Sequence, residues 1–126
     1  LLNAGESTVL ALGTPQEMSG WPVGIGGSAA ADHQGEPLAL KDSALSGSGT
    51  DVKGHHVLDP RTGYPAEGAL AAWAICVSAA RADALSTAFM VMKPEEVEQY
   101  CRRRPATKAL LLVTDREQTK AIRLGL

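Results

Sequence analysis

Asp83 and Thr87 stand four residues apart in the run Ala82-Asp83-Ala84-Leu85-Ser86-Thr87-Ala88. On a helix that spacing puts both side chains on one face, one turn apart. A carboxylate and a hydroxyl are hard oxygen ligands, suited to Mg²⁺ or Ca²⁺ and poor for zinc. The neighbours Ala82, Ala84, Ser86 and Ala88 are small, so another segment or a ligand can come close. Two side chains do not fill an octahedron; backbone carbonyls, waters or substrate phosphates would supply the rest. The same residues also fit a plainer role, with Asp83 an acid near the positive end of a helix and Thr87 a surface residue. On this segment alone both readings stay open.

A second segment lies upstream, His55-His56-Val57-Leu58-Asp59-Pro60-Arg61-Thr62-Gly63-Tyr64-Pro65. Asp59-Pro60 and Thr62-Gly63 are turn chemistry, because Pro fixes φ and Gly is free to take a positive φ. Arg61 can pair with Asp59 or with a phosphate, since its planar fork suits either. His56 has the residue type to take or give a proton near neutral pH. The alternative is a structural turn in which Asp59 and Arg61 only brace the loop.

The elements that must position these residues can be read from the pattern of apolar positions. Residues 8–12, 21–26 and 37–41 read as short strands broken by turns at Gly13 to Pro15 and beyond. Pro22 suits an edge or a strand start. The small-residue stretch 44–50, Ala-Leu-Ser-Gly-Ser-Gly-Thr, reads as a flexible loop, and residues 51–54 connect it to His55. The apolar run 70–80 reads as a strand because Trp73, Ile75 and Val77 alternate. Residues 81–92 have helical spacing at Leu85, Ala88, Phe89 and Met92, and Pro94 stops that helix. Pro94-Glu95-Glu96 starts a second helix running to about Arg103. Residues 109–114 form a strand, with 121–124 as its hairpin partner. Strands, two helices and a closing hairpin argue for a single α+β domain with a mixed or antiparallel sheet.

Taken together, the two segments resemble the ApbE family of FAD:protein FMN transferases. Members carry a segment close to His-Ile-Leu-Asp-Pro-Arg-Thr-Gly-x-Pro, matched here by His56 through Pro65. Twenty to thirty residues later they carry Ala-Asp-Ala-Leu-Ala/Ser-Thr-Ala, matched by Ala82 through Ala88. Gly47-Ser48-Gly49 is the counterpart of the family's Thr-Ser-Gly, and Ala4-Gly5-Glu6 of its Gly-Gly-Asp turn, with Leu12-Gly13 following. Gly47 therefore replaces the usual Thr, and the connection from Ser48-Gly49 to His56 is short for the family. The resemblance implies the C-terminal half of an ApbE-like fold, a Mg²⁺ held by Asp83 and Thr87, and FAD as the substrate. His56 would be the base and also touch the flavin nucleotide, Val57 and Leu58 would lie against it mainly through backbone groups, and Asp59, Arg61 and Gly63 would hold the loop. The partner would be a flavoprotein whose Ser or Thr hydroxyl receives FMN while AMP leaves. An FAD-binding module, a Mg²⁺-dependent FAD pyrophosphatase and a scaffold piece inert by itself are the competing expectations. Members are often bacterial periplasmic or inner-membrane lipoproteins, and a cytoplasmic location also stays open.

Bulk properties narrow the classes further. At 126 residues the chain has the size of one domain. Aromatics make up only 4%, so its core is built mainly from Ala, Leu and Val. A net charge of -2 supplies no field toward nucleic acid or an anionic membrane. The one basic cluster, Arg102-Arg103-Arg104, falls at the end of the second helix and reads as a solvated helix terminus. Cys76 and Cys101 make no disulfide framework, and Cys76 reads as a small core residue. None of these residues reads as a signal peptide or as a transmembrane run. The opening at Leu1-Leu2-Asn3 reads as the interior of a longer folded protein, a fragment or excised domain.

Overall fold

The computed structural model describes residues 1–5, 7–25, 37–50, 57–116 and 118–126. His55, His56, Glu6, Gly26 and the connection 51–54 lie outside the described residues.

The order of elements is β1 (Leu2–Ala4), β2 (Thr8–Ala11), β3 (Trp21–Val23), β4 (Leu38–Leu40), β5 (Ser43–Gly49), β6 (Ala71–Cys76), α1 (Ala79–Val91), α2 (Pro94–Arg103), β7 (Lys108–Asp115) and β8 (Gln118–Leu124). Six strands form one sheet in the order β1-β2-β5-β6-β7-β8, and β3 pairs with β4 as a separate ribbon. Every ladder among these strands is antiparallel. The expected α+β class with an antiparallel sheet and two helices is the one observed.

The sequence predicts a flexible loop over 44–50; instead residues 43–49 form the seven-residue strand β5, third in the sheet. Its Ser and Gly residues are poor strand formers in isolation. The ladders to β2 and β6 supply the backbone partners that override that preference.

Side chains alternate across the sheet and divide the core in two. Leu45 of β5, Trp73 and Ile75 of β6, and Leu110 and Leu112 of β7 pack on the face covered by Val23 and Leu40 of the β3–β4 ribbon. Ala72 and Ala74 of β6 with Ala109 and Leu111 of β7 face the helices, where they meet Phe89, Met90, Val97 and Cys101. All six residues of β6 are buried, as befits a strand covered on both faces. On the helix side the sheet is built of small residues, Ala44 and Cys76 meeting Ala82 of α1. This smallness lets α1 lie close over β5 and β6.

Ser78 caps α1, its Oγ accepting from the Arg81 amide at 3.3 Å. In α2, Pro94 occupies the first turn and the Lys93 amide donates to Glu96 Oε2 at 2.7 Å. The helices meet through Phe89 and Tyr100, whose rings pack edge-to-face at 5.7 Å. At the end of α2, Arg102 pairs with Glu98 and Arg104 lies over the Tyr100 ring, so this basic cluster finishes the helix as expected. Cys76 and Cys101 are free and buried. No helix among the described residues is long and apolar enough to cross a membrane.

Candidate functional site

Asp83 is the fifth residue of α1, and the first turn of that helix contains no acid. The plainer role, an acid favoured by the helix start, therefore does not describe it. What Asp83 meets is β5. Ser46 Oγ donates to Asp83 Oδ1 at 3.2 Å, and Ser46 Oγ lies 2.9 Å from Thr8 Oγ1 of β2. One turn further along α1, Ser48 Oγ lies 2.9 Å from Ser86 Oγ and 3.1 Å from Thr87 Oγ1. Ser86 in turn donates to the Asp83 carbonyl at 2.9 Å. Ser46 and Ser86 are fully buried while Asp83 and Thr87 remain exposed.

The sheet explains the arrangement. Ser46 and Ser48 are two apart on β5 and so share the face toward α1, whereas Asp83 and Thr87 are one helical turn apart. The two spacings match closely enough to pair Ser46 with Asp83 and Ser48 with Thr87. The resulting cluster offers only oxygen atoms, the donor chemistry that hard divalent cations require. Among the described residues no three His, Cys, Asp or Glu side chains converge. Among the described residues of the cluster, Asp83 supplies a carboxylate and Thr8, Ser46, Ser48, Ser86 and Thr87 supply hydroxyls.

The segment after His56 folds into a tight, self-braced turn. Leu58 and Pro65 form an isolated bridge, and the Ala66 amide donates to the Val57 carbonyl at 2.9 Å. Asp59 Oδ1 accepts from the Arg61 amide at 2.8 Å, while Arg61 Nη2 reaches Asp59 Oδ2 at 2.9 Å. Gly63 takes a φ of 76° and donates to the Asp59 carbonyl at 2.7 Å. Arg61 Nη2 also donates to the Val91 carbonyl at 3.0 Å, pinning the turn to the C-terminal end of α1. These bonds hold the Asp59 carboxyl below its usual value and raise the Arg61 guanidinium, in each case chiefly through their mutual hydrogen bond. The brace role is what the geometry displays for this pair.

Val57 is half-buried against the helix-side core, while Leu58 is exposed. Their anchor at Val91 lies roughly two turns, about 12 Å, along α1 from Asp83. The two motifs thus occupy different ends of one helix. Sequence reading missed Ser46 and Thr8, because hydroxyls on three separate elements become neighbours only through strand register. It also missed a cavity of about 390 Å³ on the other side of the sheet, lined among others by Leu40, Asp42, Ile75, Lys108 and Arg123. That lining draws on β4, β5, β6, β7 and β8 and on residues between and beyond them, so no local motif announces it.

The chain matches the ApbE family over residues 1–111. It belongs to the ApbE family. Among solved structures it is similar to the Pseudomonas stutzeri flavinyl transferase ApbE in its apo form, with 29% identity and a TM-score of 0.73 over 93% of this chain and 38% of that one. It is also similar to the ApbE protein of Thermotoga maritima, with 30% identity and a TM-score of 0.69 over 89% of this chain and 38% of that one. The flavin transferase ApbE from Vibrio cholerae shares the fold at 22% identity and a TM-score of 0.70, over 89% and 38% of the two chains. No match was found among curated proteins. The chain therefore spans under two-fifths of the length of these ApbE structures.

One departure from the ApbE pattern has a physical explanation. Gly47, where the family's motif has Thr, sits directly opposite Trp73 on β6. A Cβ at Gly47 would fall 2.5 Å from Trp73 Nε1. The large indole on one strand and the missing side chain on the other are complementary.

Proposed function

We propose that these residues form the metal- and phosphate-handling side of an enzyme that transfers FMN from FAD to a Ser or Thr hydroxyl of a target flavoprotein, releasing AMP. The observation that carries this reading is the oxygen-only cluster where α1 crosses β5, in a chain of the ApbE family. Asp83 and Thr87 would hold Mg²⁺. Bound there, the ion would neutralise the FAD pyrophosphate and stabilise the departing AMP.

The protein's own groups have separate tasks. His56 takes the proton of the acceptor hydroxyl while that oxygen bonds to the FMN phosphorus and the bond from phosphorus to the AMP oxygen breaks. This role rests on the motif that runs from His56 to Pro65. Val57 and Leu58 lie along the nucleotide mainly through backbone groups, on a turn that the Asp59–Arg61 pair keeps in shape. The separation of about 12 Å between that turn's anchor and Asp83 suits a ligand as long as a dinucleotide.

The test incubates the full-length protein with FAD, Mg²⁺ and a flavoprotein acceptor. Covalently bound FMN on the acceptor is the expected product. Free FMN and AMP without labelled acceptor would replace this reading with an FAD pyrophosphatase, since the same charge stabilisation serves water as acceptor. Bound FAD that stays intact would reduce it to a binding module. Asp83→Ala is expected to abolish Mg²⁺-dependent transfer; normal flavinylation by that variant would remove Asp83 from the metal site.

A further inference from the structure

Each hydroxyl in the α1–β5 cluster has one proton to give, and this restricts the direction of its bonds. Ser46 Oγ donates to Asp83 Oδ1, so its single proton points there. The 2.9 Å contact between Ser46 and Thr8 must then run from the Thr8 hydroxyl into Ser46 Oγ. The second chain is fixed in the same way. Ser86 gives its proton to the Asp83 carbonyl at 2.9 Å, so Ser86 Oγ accepts from Ser48. Ser48 has then used its proton, so in the 3.1 Å contact Thr87 is the group able to donate. The other target for the Thr87 proton, the Asp83 carbonyl, is longer at 3.5 Å.

The consequence falls on the two would-be ligands. With its proton turned into β5, Thr87 Oγ1 has its lone pairs directed away from the sheet. Asp83 has one carboxylate oxygen tied to the fully buried Ser46, which restricts its rotamer. We propose that Ser46 and Ser48 are positioning residues that orient Asp83 and Thr87 toward a divalent cation, with Thr8 supplying the proton that sets the direction of the first chain. This rests on the metal reading of Asp83 and Thr87 given above. Hydrogen-bond partners of metal ligands commonly govern affinity by about 10–100-fold.

Mn²⁺ alone is the probe, titrated into the metal-free full-length protein and followed by water-proton relaxation, with thermal midpoints recorded with and without Mn²⁺. Ser46→Ala and Ser48→Ala are each expected to weaken Mn²⁺ binding about 10–100-fold, and Ser48→Thr, which keeps the hydroxyl, to restore it. Thr8→Val should weaken binding less, and its effect should vanish in the Ser46→Ala background. A purely structural role would lower the thermal midpoint equally with and without Mn²⁺ and leave the Mn²⁺ affinity unchanged. That result, in a set where Asp83→Ala does lose binding, overturns the positioning role and leaves the metal site standing. Unchanged binding in Asp83→Ala overturns the metal reading and this inference with it. If Ser46→Ala does not fold, Thr8→Val decides, since it leaves both serines in place; wild-type affinity there overturns the role of the Thr8–Ser46 chain.

Discussion

A buried serine on a helix face needs partners for its hydroxyl. Ser86 finds two, the Asp83 carbonyl at 2.9 Å and Ser48 Oγ at 2.9 Å. Its burial draws the α1 face that carries Asp83 and Thr87 down against β5. His56 is the residue whose proposed role is separable by kinetics. His56→Ala is expected to slow FMN transfer about 10²–10⁴-fold while leaving FAD affinity near wild type. An equal collapse of FAD affinity would make it a binding residue. The Asp59–Arg61 brace offers a pH prediction. The folded-state pKa of Asp59 is depressed below the ordinary 3.8 by its hydrogen bond to Arg61. The brace therefore contributes in full above that value and is lost as pH falls through the lower folded one. In a carbon-13 titration the Asp59 carboxyl should protonate below 3.8, and Arg61→Ala should bring it back toward that value. Identical titration in both proteins would show that Arg61 does not set it.

At the scale of elements, the fit between α1 and its surroundings depends on small residues at fixed places. Ala44, Cys76 and Ala82 keep the helix close to the sheet, and Gly68 keeps the segment leading into β6 close to the C-terminal end of α1. A Cβ at Gly68 would stand 2.6 Å from the Met92 carbonyl oxygen and 2.7 Å from that of Met90. Both obstacles are backbone and cannot rotate away. Gly68→Ala should therefore destabilise the fold by about 1–3 kcal/mol, as overpacked sites do. Urea denaturation checks this, and a midpoint equal to wild type would show that this segment can shift freely. The same substitution should disturb the Arg61 contact with the Val91 carbonyl, since both tie the 57–68 segment to one helix end.

Over the whole molecule, two cores on opposite faces of one sheet account for the architecture, with the ribbon on one side and two helices on the other. Its outer strand β8 carries Lys120 and Arg123, charges that discourage edge-to-edge association. The chain spans only 38% of the Pseudomonas stutzeri ApbE structure. Under the proposed function, the groups needed to enclose FAD lie in large part beyond these residues. The 126-residue chain by itself is expected to give no covalent flavin on an acceptor, read as in-gel flavin fluorescence. Transfer by the chain alone would mean that the α1–β5 cluster and its neighbouring turn suffice.

Local sequence determined much of this protein. The alternation at Trp73 and Ile75, the apolar run in β7, and Pro94-Glu95-Glu96 at the start of α2 each act within a few residues, and the structure places strands and a helix there. The motif pair around Asp59 and Asp83 was likewise sufficient to identify the ApbE family. Tertiary structure decided the rest. Residues 44–50 look like a loop because Ser and Gly have weak strand preference, and only pairing with β2 and β6 makes residues 43–49 the strand β5. The helical stripe expected through Leu85, Ala88 and Phe89 is in fact centred on Ala82, Ser86, Phe89 and Met90. A polar residue can lie at the middle of a buried face when the facing strand supplies a hydroxyl, and no periodicity within the helix can reveal that partner. The pairing of Ser46 with Asp83 and Ser48 with Thr87 is of the same kind, because it depends on strand register and helix docking across 37 and 39 residues of chain. The sequence named the carboxylate and the hydroxyl; the fold chose the serines that orient them.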